Sequence, residues 1–335
     1  SFGDNYELPN RTAYSETCAA IGSVYWNHRL YLLTGDVKYY DILERTLYNA
    51  LIAGISLDGT KFFYPNPLES DEKYTFNMGS CTRQGWFDCS CCPTNLIRFI
   101  PSIPGLIYAT FADTLFVNLY ASNKANISIK KANVEIVQET GYPWTGNVKI
   151  IVNPLKSSDF TIKLRIPYWA RNQAVPGDLY HYAVNYPVDI SIKVNGENVK
   201  YRQGDTYISI TRKWQKGDRI ELSLPMQVKR VLSNPLVKDN LNKVAIEYGP
   251  LVYCAEEADN QLAVDNIVLT TGEVLQPLFR NDLLDGIMVI NGKVSVADKK
   301  AAKTVQADQS PLTLIPYYSW SNRGVGKMKV WLPAE

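Results

Sequence analysis

The sequence has almost no excess of either charge: 35 Lys and Arg stand against 33 Asp and Glu, a formal +2. That balance argues against a nucleic-acid binder, which concentrates basic residues in a patch. It has no run near the ~18 apolar residues that a membrane helix requires, so no membrane partner is expected. It also lacks the composition of a disordered, collagen-like or coiled-coil chain, at 46% hydrophobic and 20% charged. Six cysteines in 335 residues are too few for a disulfide scaffold of this size. No P-loop, G-x-G-x-x-G or G-x-S-x-G motif occurs. The first residues, Ser1-Phe2-Gly3-Asp4, carry no initiator Met, no basic stretch and no apolar stretch. The expectation is a chain that begins in mid-protein, with any targeting signal upstream. The compartment, cytoplasmic or periplasmic, therefore stays open.

Two or three domains are expected at roughly 150 residues each. Ile21, Val24, Tyr25, His28 and Leu32 follow helical spacing, and Gly35 can end that helix. Leu43, Leu47, Ala50, Leu51 and Gly54 continue at the same period, and Asp58-Gly59 marks a turn. Residues 60–90 read as irregular. A third helical stretch is expected from Pro93 to Ala109, interrupted by Pro101 and Pro104. After Leu115 the period drops to two: 115–120, 148–152, 160–166, 190–194, 207–210 and 220–224 read as strands. A second β set runs through 244–248, 251–254, 287–290 and 312–315. Asn195-Gly196 and Asn291-Gly292 carry the strongest short hairpin signal. Three helices cannot bury themselves alone, so they must pack on the β units or on further helices.

Four cysteines, Cys81, Cys89, Cys91 and Cys92, crowd into twelve residues, and Cys18 follows Glu16 in Glu-Thr-Cys. Thiolates and a carboxylate are good zinc ligands, and three Cys with one Glu complete a tetrahedron. On a helix, positions i and i+2 point about 200° apart. Glu16 and Cys18 can therefore converge only from an extended segment or an irregular helix start. Cys91 and Cys92 could ligate together from a loop, with Pro93 opening the next helix. The competing reading is a set of buried free thiols packing as small hydrophobes. Residue types alone leave both open.

Tyr6-Glu-Leu-Pro-Asn10, Tyr14-Ser-Glu-Thr-Cys-Ala-Ala20, Cys89-Ser-Cys-Cys-Pro-Thr-Asn95, Tyr248-Gly-Pro-Leu-Val-Tyr253, Leu314-Ile-Pro-Tyr-Tyr318 and Trp331-Leu-Pro333 occur in this order. Together they resemble glycoside hydrolase family 127, the β-L-arabinofuranosidase-like proteins, from end to end of the chain. The resemblance implies a multidomain α and β fold, part of an (α/α)6 barrel followed by two antiparallel β-sandwiches. The divisions it suggests are 1–112 for the barrel part, 113–230 with 326–335 for the first sandwich, and 231–325 for the second. It implies that the final strand, 328–332, returns to the first sandwich. It implies retaining hydrolysis of L-arabinofuranosides or related L-sugars, a glycan substrate, and Zn2+ held by Glu16, Cys18, Cys91 and Cys92, with Cys91 as nucleophile. The family's acid/base Glu would align just upstream of Ser1, together with the other barrel half, so the chain alone is expected to be inactive. A homodimer stays open. The contrasting expectation is a non-catalytic carbohydrate-binding or scaffold protein with a structural zinc.

Other candidates are weaker. Glu7 matches the Leu-Pro-Asn motif and reads as structural. His28 lies on the apolar stripe and reads as core; His181 reads as a loop residue. Cys81 and Cys89 could pair in an oxidising compartment, and Cys254 reads as core. Tyr64, Trp86 and Phe87 fall in the irregular segment before the cysteines, where aromatic faces could meet a sugar.

Overall fold

Helix α1, Thr17–Thr34, starts directly after Glu16, whose backbone is extended (φ −63°, ψ 136°). This is a computed structural model describing residues 3–130, 132–298 and 303–335, with the side chains of 295–309 also outside the description. Ser1 and Phe2, on which the mid-protein expectation rests, lie outside the described residues. One face of α1 is buried through Ala20, Ile21, Val24, Asn27 and Tyr31. Leu32, expected on that stripe, is 52% exposed, and Tyr31 takes its place. Gly35 ends α1 in the left-handed region (φ 69°) and donates its N–H to Tyr31 O at 2.7 Å. Helix α2, Lys38–Arg45, runs on into a π-helical turn, Thr46–Leu51. Helix α3 is Cys91–Phe99, followed by 3-10 turns over Ile100–Leu106. It opens two residues earlier than expected. Pro93 then sits in its first turn, where backbone N–H groups lack helical partners and a proline costs little.

The middle of the chain is a β-sandwich. A six-stranded sheet runs in spatial order Glu197–Asn198, Ser191–Val194, Asp218–Ser223, Asn147–Pro154, Ala132–Thr140, Asn123–Ile129. A four-stranded sheet runs Tyr207–Trp214, Ser158–Arg165, Thr114–Val117, Tyr108–Phe111. Alternate residues of both, among them Ile136, Ile150, Val152, Ile162, Leu164, Trp214 and Ile220, share one core. The hairpin Asn123–Ile129 with Ala132–Thr140 was not among the expected strands. Asn195-Gly196 is the two-residue hairpin loop expected, with φ of 52° and 85° and Val194 opposite Glu197.

The last third forms a single hydrogen-bonded sheet of eleven strands among the described residues, not two separate sheets. It includes Tyr180–Tyr182 and Glu69–Ser70, contributed from earlier in the chain. Its central strands Lys243–Tyr248 and Leu251–Glu256 are buried on both faces. Ala245, Val252, Cys254 and Ile315 pack with Ala53, Phe63 and Phe76 of the helical part, while Val244, Ile246, Leu251 and Tyr253 pack on the other side with Leu312 and Leu314.

Two expectations are corrected here. Asn291-Gly292 is no hairpin loop; it lies inside the strand Ile287–Asp298, opposite Thr313 and Leu312. A Cβ at Gly292 would sit 2.5 Å from Leu275 Cδ2 and 3.6 Å from Val274 O, so a neighbouring segment runs close to the strand at this glycine. The final segment does not return to the middle sandwich. Met328–Lys329 pairs with Glu69–Ser70 and with Ala255–Glu256, and Leu332–Pro333 pairs with Lys243–Val244. The middle sandwich closes its core with its own two sheets. Met328, Val330 and Trp331 instead fill the core shared by the helical part and the eleven-stranded sheet.

The chain is thus a multidomain, mostly β protein with three α-helices among the described residues. Buried polar groups stitch its parts together. Asn49 donates to Pro250 O at 2.9 Å and accepts from Val252 N at 2.8 Å. Lys229 donates to Trp169 O at 2.6 Å and lies over the Tyr182 ring, 4.5 Å from its centroid. Burial pushes the Lys229 pKa down to about 8, with Glu247 acting the other way. A lysine with a lowered folded pKa binds fewer protons folded than unfolded, so stability rises as pH climbs from about 8 toward 10.5. Lys229→Met is expected to flatten that rise. Denaturant unfolding across the window, wild type against variant, checks it; parallel curves would refute it.

Candidate functional site

The segment Phe62–Asn66 organises the site. Glu16 bridges to Pro65 in antiparallel fashion, and Thr17 N donates to Tyr64 O at 2.9 Å. Thr17 Oγ1 donates to Phe63 O at 2.9 Å, and Asn66 Nδ2 holds Thr17 Oγ1 at 3.0 Å and Ser15 O at 2.9 Å. Glu16 is thereby extended while Cys18 occupies the first turn of α1, the geometric condition that the i, i+2 spacing imposes. On the other side, buried Asn77 clamps the same segment. Its Oδ1 accepts Tyr64 N at 2.8 Å, and its Nδ2 donates to Phe62 O at 3.1 Å and Thr82 O at 2.8 Å. The backbone groups of Phe62 and Gln84 pair at 2.8 and 3.0 Å.

Four donor groups converge beside this segment. One ligand atom each from Glu16, Cys18, Cys91 and Cys92 lies within 4.8 Å of the others. Cys91 Sγ and Cys92 Sγ are 3.9 Å apart, and Cys92 Sγ is 3.8 Å from Glu16 Oε1. Around a zinc with Zn–S of ~2.3 Å and Zn–O of ~2.1 Å, tetrahedral donors stand ~3.8 Å (S–S) and ~3.6 Å (S–O) apart. The residues fit such an ion in both spacing and chemistry.

Of the four, Tyr64 touches Cys91: its hydroxyl lies 2.8 Å from Cys91 Sγ, and 3.9 Å from Cys89 Sγ outside the set. Burial pushes the thiols of Cys18 and Cys92 up. Burial acts upward on Cys91 too, but hydrogen bonds from Tyr64, then Cys18 and Cys92, outweigh it, and this thiol stands below its ordinary value. The same bond to Cys91, together with burial, pushes the Tyr64 hydroxyl up, so Tyr64 serves as a donor. Cys91 also opens α3, where the positive end of the helix dipole favours a thiolate. The Asn95 side chain, one turn on, reaches Cys18.

The remaining candidates fall elsewhere. Glu7 Oε2 accepts Asp4 N at 2.9 Å within its own turn. His28 packs edge-on against Tyr40, with ring centroids 6.2 Å apart. His181 sits not in a loop but exposed in the strand Tyr180–Tyr182, opposite Leu232. Cys81 and Cys89 are both free thiols, and Cys254 is core. Phe87 is buried against Tyr64, whereas Trp86 is 57% exposed and lines an adjoining cleft with Tyr64. Sequence reasoning missed the clamps Asn66 and Asn77. Their one legible signal is asparagine recurring in and beside an irregular segment, where its side chain satisfies backbone groups that no ladder does.

Comparison with known proteins gives a consistent picture along the chain. Residues 1–105 match the family profile described as "Beta-L-arabinofuranosidase, GH127 catalytic domain". Residues 114–226 match the GH127 middle domain, and 228–333 the glycoside hydrolase family 127 C-terminal domain. A non-reducing end β-L-arabinofuranosidase of Bifidobacterium longum is 32% identical, over 99% of this chain and 51% of its own. A solved GH127 β-arabinofuranosidase structure superposes with a TM-score of 0.93 at 50% identity, over 100% of this chain and 51% of the other. A GH127 β-L-arabinofuranosidase from Geobacillus stearothermophilus T6 gives 0.85 at 40% identity, over 98% and 51%. The chain therefore spans about half the length of the relatives it matches. With catalytic, middle and C-terminal signatures in succession over nearly its whole length, the chain belongs to glycoside hydrolase family 127.

Proposed function

We propose that this chain carries the nucleophile and metal site of a retaining glycoside hydrolase acting on β-L-arabinofuranosides. The observation that carries the reading is Cys91, flanked by the Tyr64 hydroxyl at 2.8 Å and grouped with Glu16, Cys18 and Cys92 within 4.8 Å. Glu16, Cys18, Cys91 and Cys92 would hold Zn2+. Bound there, zinc keeps the Cys91 sulfur deprotonated at neutral pH, and only the thiolate attacks. Cys91 Sγ forms a bond to the anomeric carbon while the glycosidic C–O bond breaks, and the leaving oxygen takes a proton from a carboxylic acid. Water then attacks the same carbon, giving its proton to the carboxylate. The C–S bond breaks and the thiolate is restored, so two inversions give net retention. Tyr64 orients Cys91 and stabilises its anion by hydrogen bonding.

Glu7 is tied into its own turn by Asp4 N, which supports an acid/base carboxylate from outside this chain. The relatives' length supports it too, since this chain accounts for 51% of them. We read α1–α3 as part of an (α/α)6 barrel completed by further helices. Exposed Trp26, Leu33 and Ile97 (67, 81 and 60%) on α1 and α3 are the apolar surface such helices would cover.

A set of four protein ligands is also what a purely structural zinc site uses. The hydroxyl directed at one sulfur of the set favours catalysis. In the complete protein, about one zinc per chain is expected by elemental analysis. Stripping it with a strong chelator should abolish hydrolysis of an aryl β-L-arabinofuranoside. Cys18→Ser should lose metal and activity together. Zinc-free protein with full activity would end the metal reading. Zinc-replete complete protein that hydrolyses no arabinofuranoside would favour the binding or scaffold alternative.

A further inference from the structure

Resting on that reading, we propose that Trp86 is the platform for the sugar on the leaving-group side of the scissile bond, and so selects glycan over simple glycoside substrates. A cleft of about 420 Å³ adjoins the cysteine cluster, with Tyr64, Met78, Gln84, Trp86, Asp88 and Cys89 in its walls. Tyr64 belongs to both features: its ring lines the cleft and its hydroxyl touches Cys91 Sγ at 2.8 Å. The cleft therefore borders the nucleophile across Tyr64. Its outer wall is open, with Trp86 57% and Met78 49% exposed.

Adjacent aromatic residues divide the work. Phe87 is 6% exposed and packs edge-on against Tyr64, with centroids 5.5 Å apart at 82°, and so supports the ring that holds Cys91. Trp86, far more exposed than Phe87, forms the outer aromatic wall of the same cleft. Its base is firm, because Gln84 pairs with Phe62 through both backbone groups and its side chain also bonds to Asn77 O. An indole on a firm loop presents a flat apolar face at little entropic cost.

The chemistry of the substrate matches that wall. A sugar attacked at Cys91 has its anomeric carbon against the sulfur and its leaving oxygen on the opposite side of that carbon, so the rest of the glycan runs away from the sulfur along the open side of the cleft. A sugar ring offers an apolar C–H face for the indole and a hydroxyl edge for the Asp88 carboxylate in the same cleft. The volume lies within the ~300–1,000 Å³ range of small-ligand sites.

The test compares kcat/KM of the complete protein and its Trp86→Ala and Trp86→Phe variants on two substrates. One is a β-L-arabinofuranosyl disaccharide; the other is methyl β-L-arabinofuranoside, which has no second ring. Trp86→Ala should lower the disaccharide-to-methyl ratio about tenfold, the loss expected from one aromatic contact and its buried apolar area. Trp86→Phe should restore most of the ratio, with zinc content unchanged in both. An unchanged ratio, including an equal loss on both substrates, overturns the proposal. Wild-type protein that cleaves neither substrate overturns the arabinofuranosidase reading itself, and this one with it.

Discussion

Cys91→Ser in the complete protein is expected to reduce turnover on an aryl β-L-arabinofuranoside by about 10⁴-fold or more, the scale on which removing a covalent nucleophile acts. A serine hydroxyl ionises far less readily than a thiol. The features that favour an anion at residue 91, the Tyr64 hydroxyl at 2.8 Å and the start of α3, cannot close that gap. The same change alters a member of the proposed zinc set, so metal content has to be measured in the same preparation. Cys91→Ser with bound zinc and no turnover isolates the nucleophile. Cys18→Ser should instead lose activity in proportion to lost zinc. A Cys91→Ser enzyme within tenfold of wild type would show that another group attacks the anomeric carbon.

Arg165→Met is expected to destabilise the fold by about 3–5 kcal/mol, because it strips the counter-charge from two buried carboxylates. Arg165 is fully buried, and its guanidinium meets Asp41 Oδ1 at 2.7 Å and Glu44 Oε1 at 2.6 Å. Its Nε donates to Asn118 O at 2.6 Å. Arg171 also pairs with Asp41, and the Tyr142 hydroxyl donates to Glu44 at 2.7 Å. This network binds α2 to the middle sandwich, and Arg45–Glu247 at 2.5 Å extends it to the eleven-stranded sheet. Burial pushes both Asp41 and Glu44 up, and Arg165 is the main opposing influence on each. Without it the native state holds protons that the unfolded chain releases. The variant's stability should then fall as pH rises from the ordinary carboxylate range toward neutrality. Urea unfolding of Arg165→Met at pH 5 and 7 checks both signs. Adding Asp41→Asn and Glu44→Gln should recover part of the loss and remove the pH slope. A variant within ~1 kcal/mol of wild type would mean that the network is satisfied without Arg165.

What the sequence determined by itself was whatever rests on near neighbours and residue chemistry. Gly35 closes α1 because a left-handed residue is needed at a helix end, and Asn195-Gly196 turns a hairpin because both residues tolerate positive φ. The period change near Leu115 marked the passage from helices to strands. Glu-Thr-Cys and Cys-Cys-Pro allowed a thiolate and carboxylate ligand set, but on residue types alone they equally allowed a group of buried free thiols. Only the tertiary structure decided what meets what. Glu16 and Cys18 reach Cys91 and Cys92 across more than seventy residues, because the Phe62–Asn66 segment is laid beside them and clamped by Asn66 and Asn77. No local pattern encodes that closure. The same holds for Tyr64 on Cys91 and for Arg165 on Asp41 and Glu44, which are contacts between elements distant in the chain. The misread pieces share one physical cause. Asn291-Gly292 has the residues of a turn but the surroundings of a strand, where Leu275 occupies the space a side chain would need. The last strand alternates like any other, and which sheet it joins depended on which core still lacked Met328, Val330 and Trp331. Periodicity specifies that a segment has a face to bury; the packing of the rest of the chain specifies where.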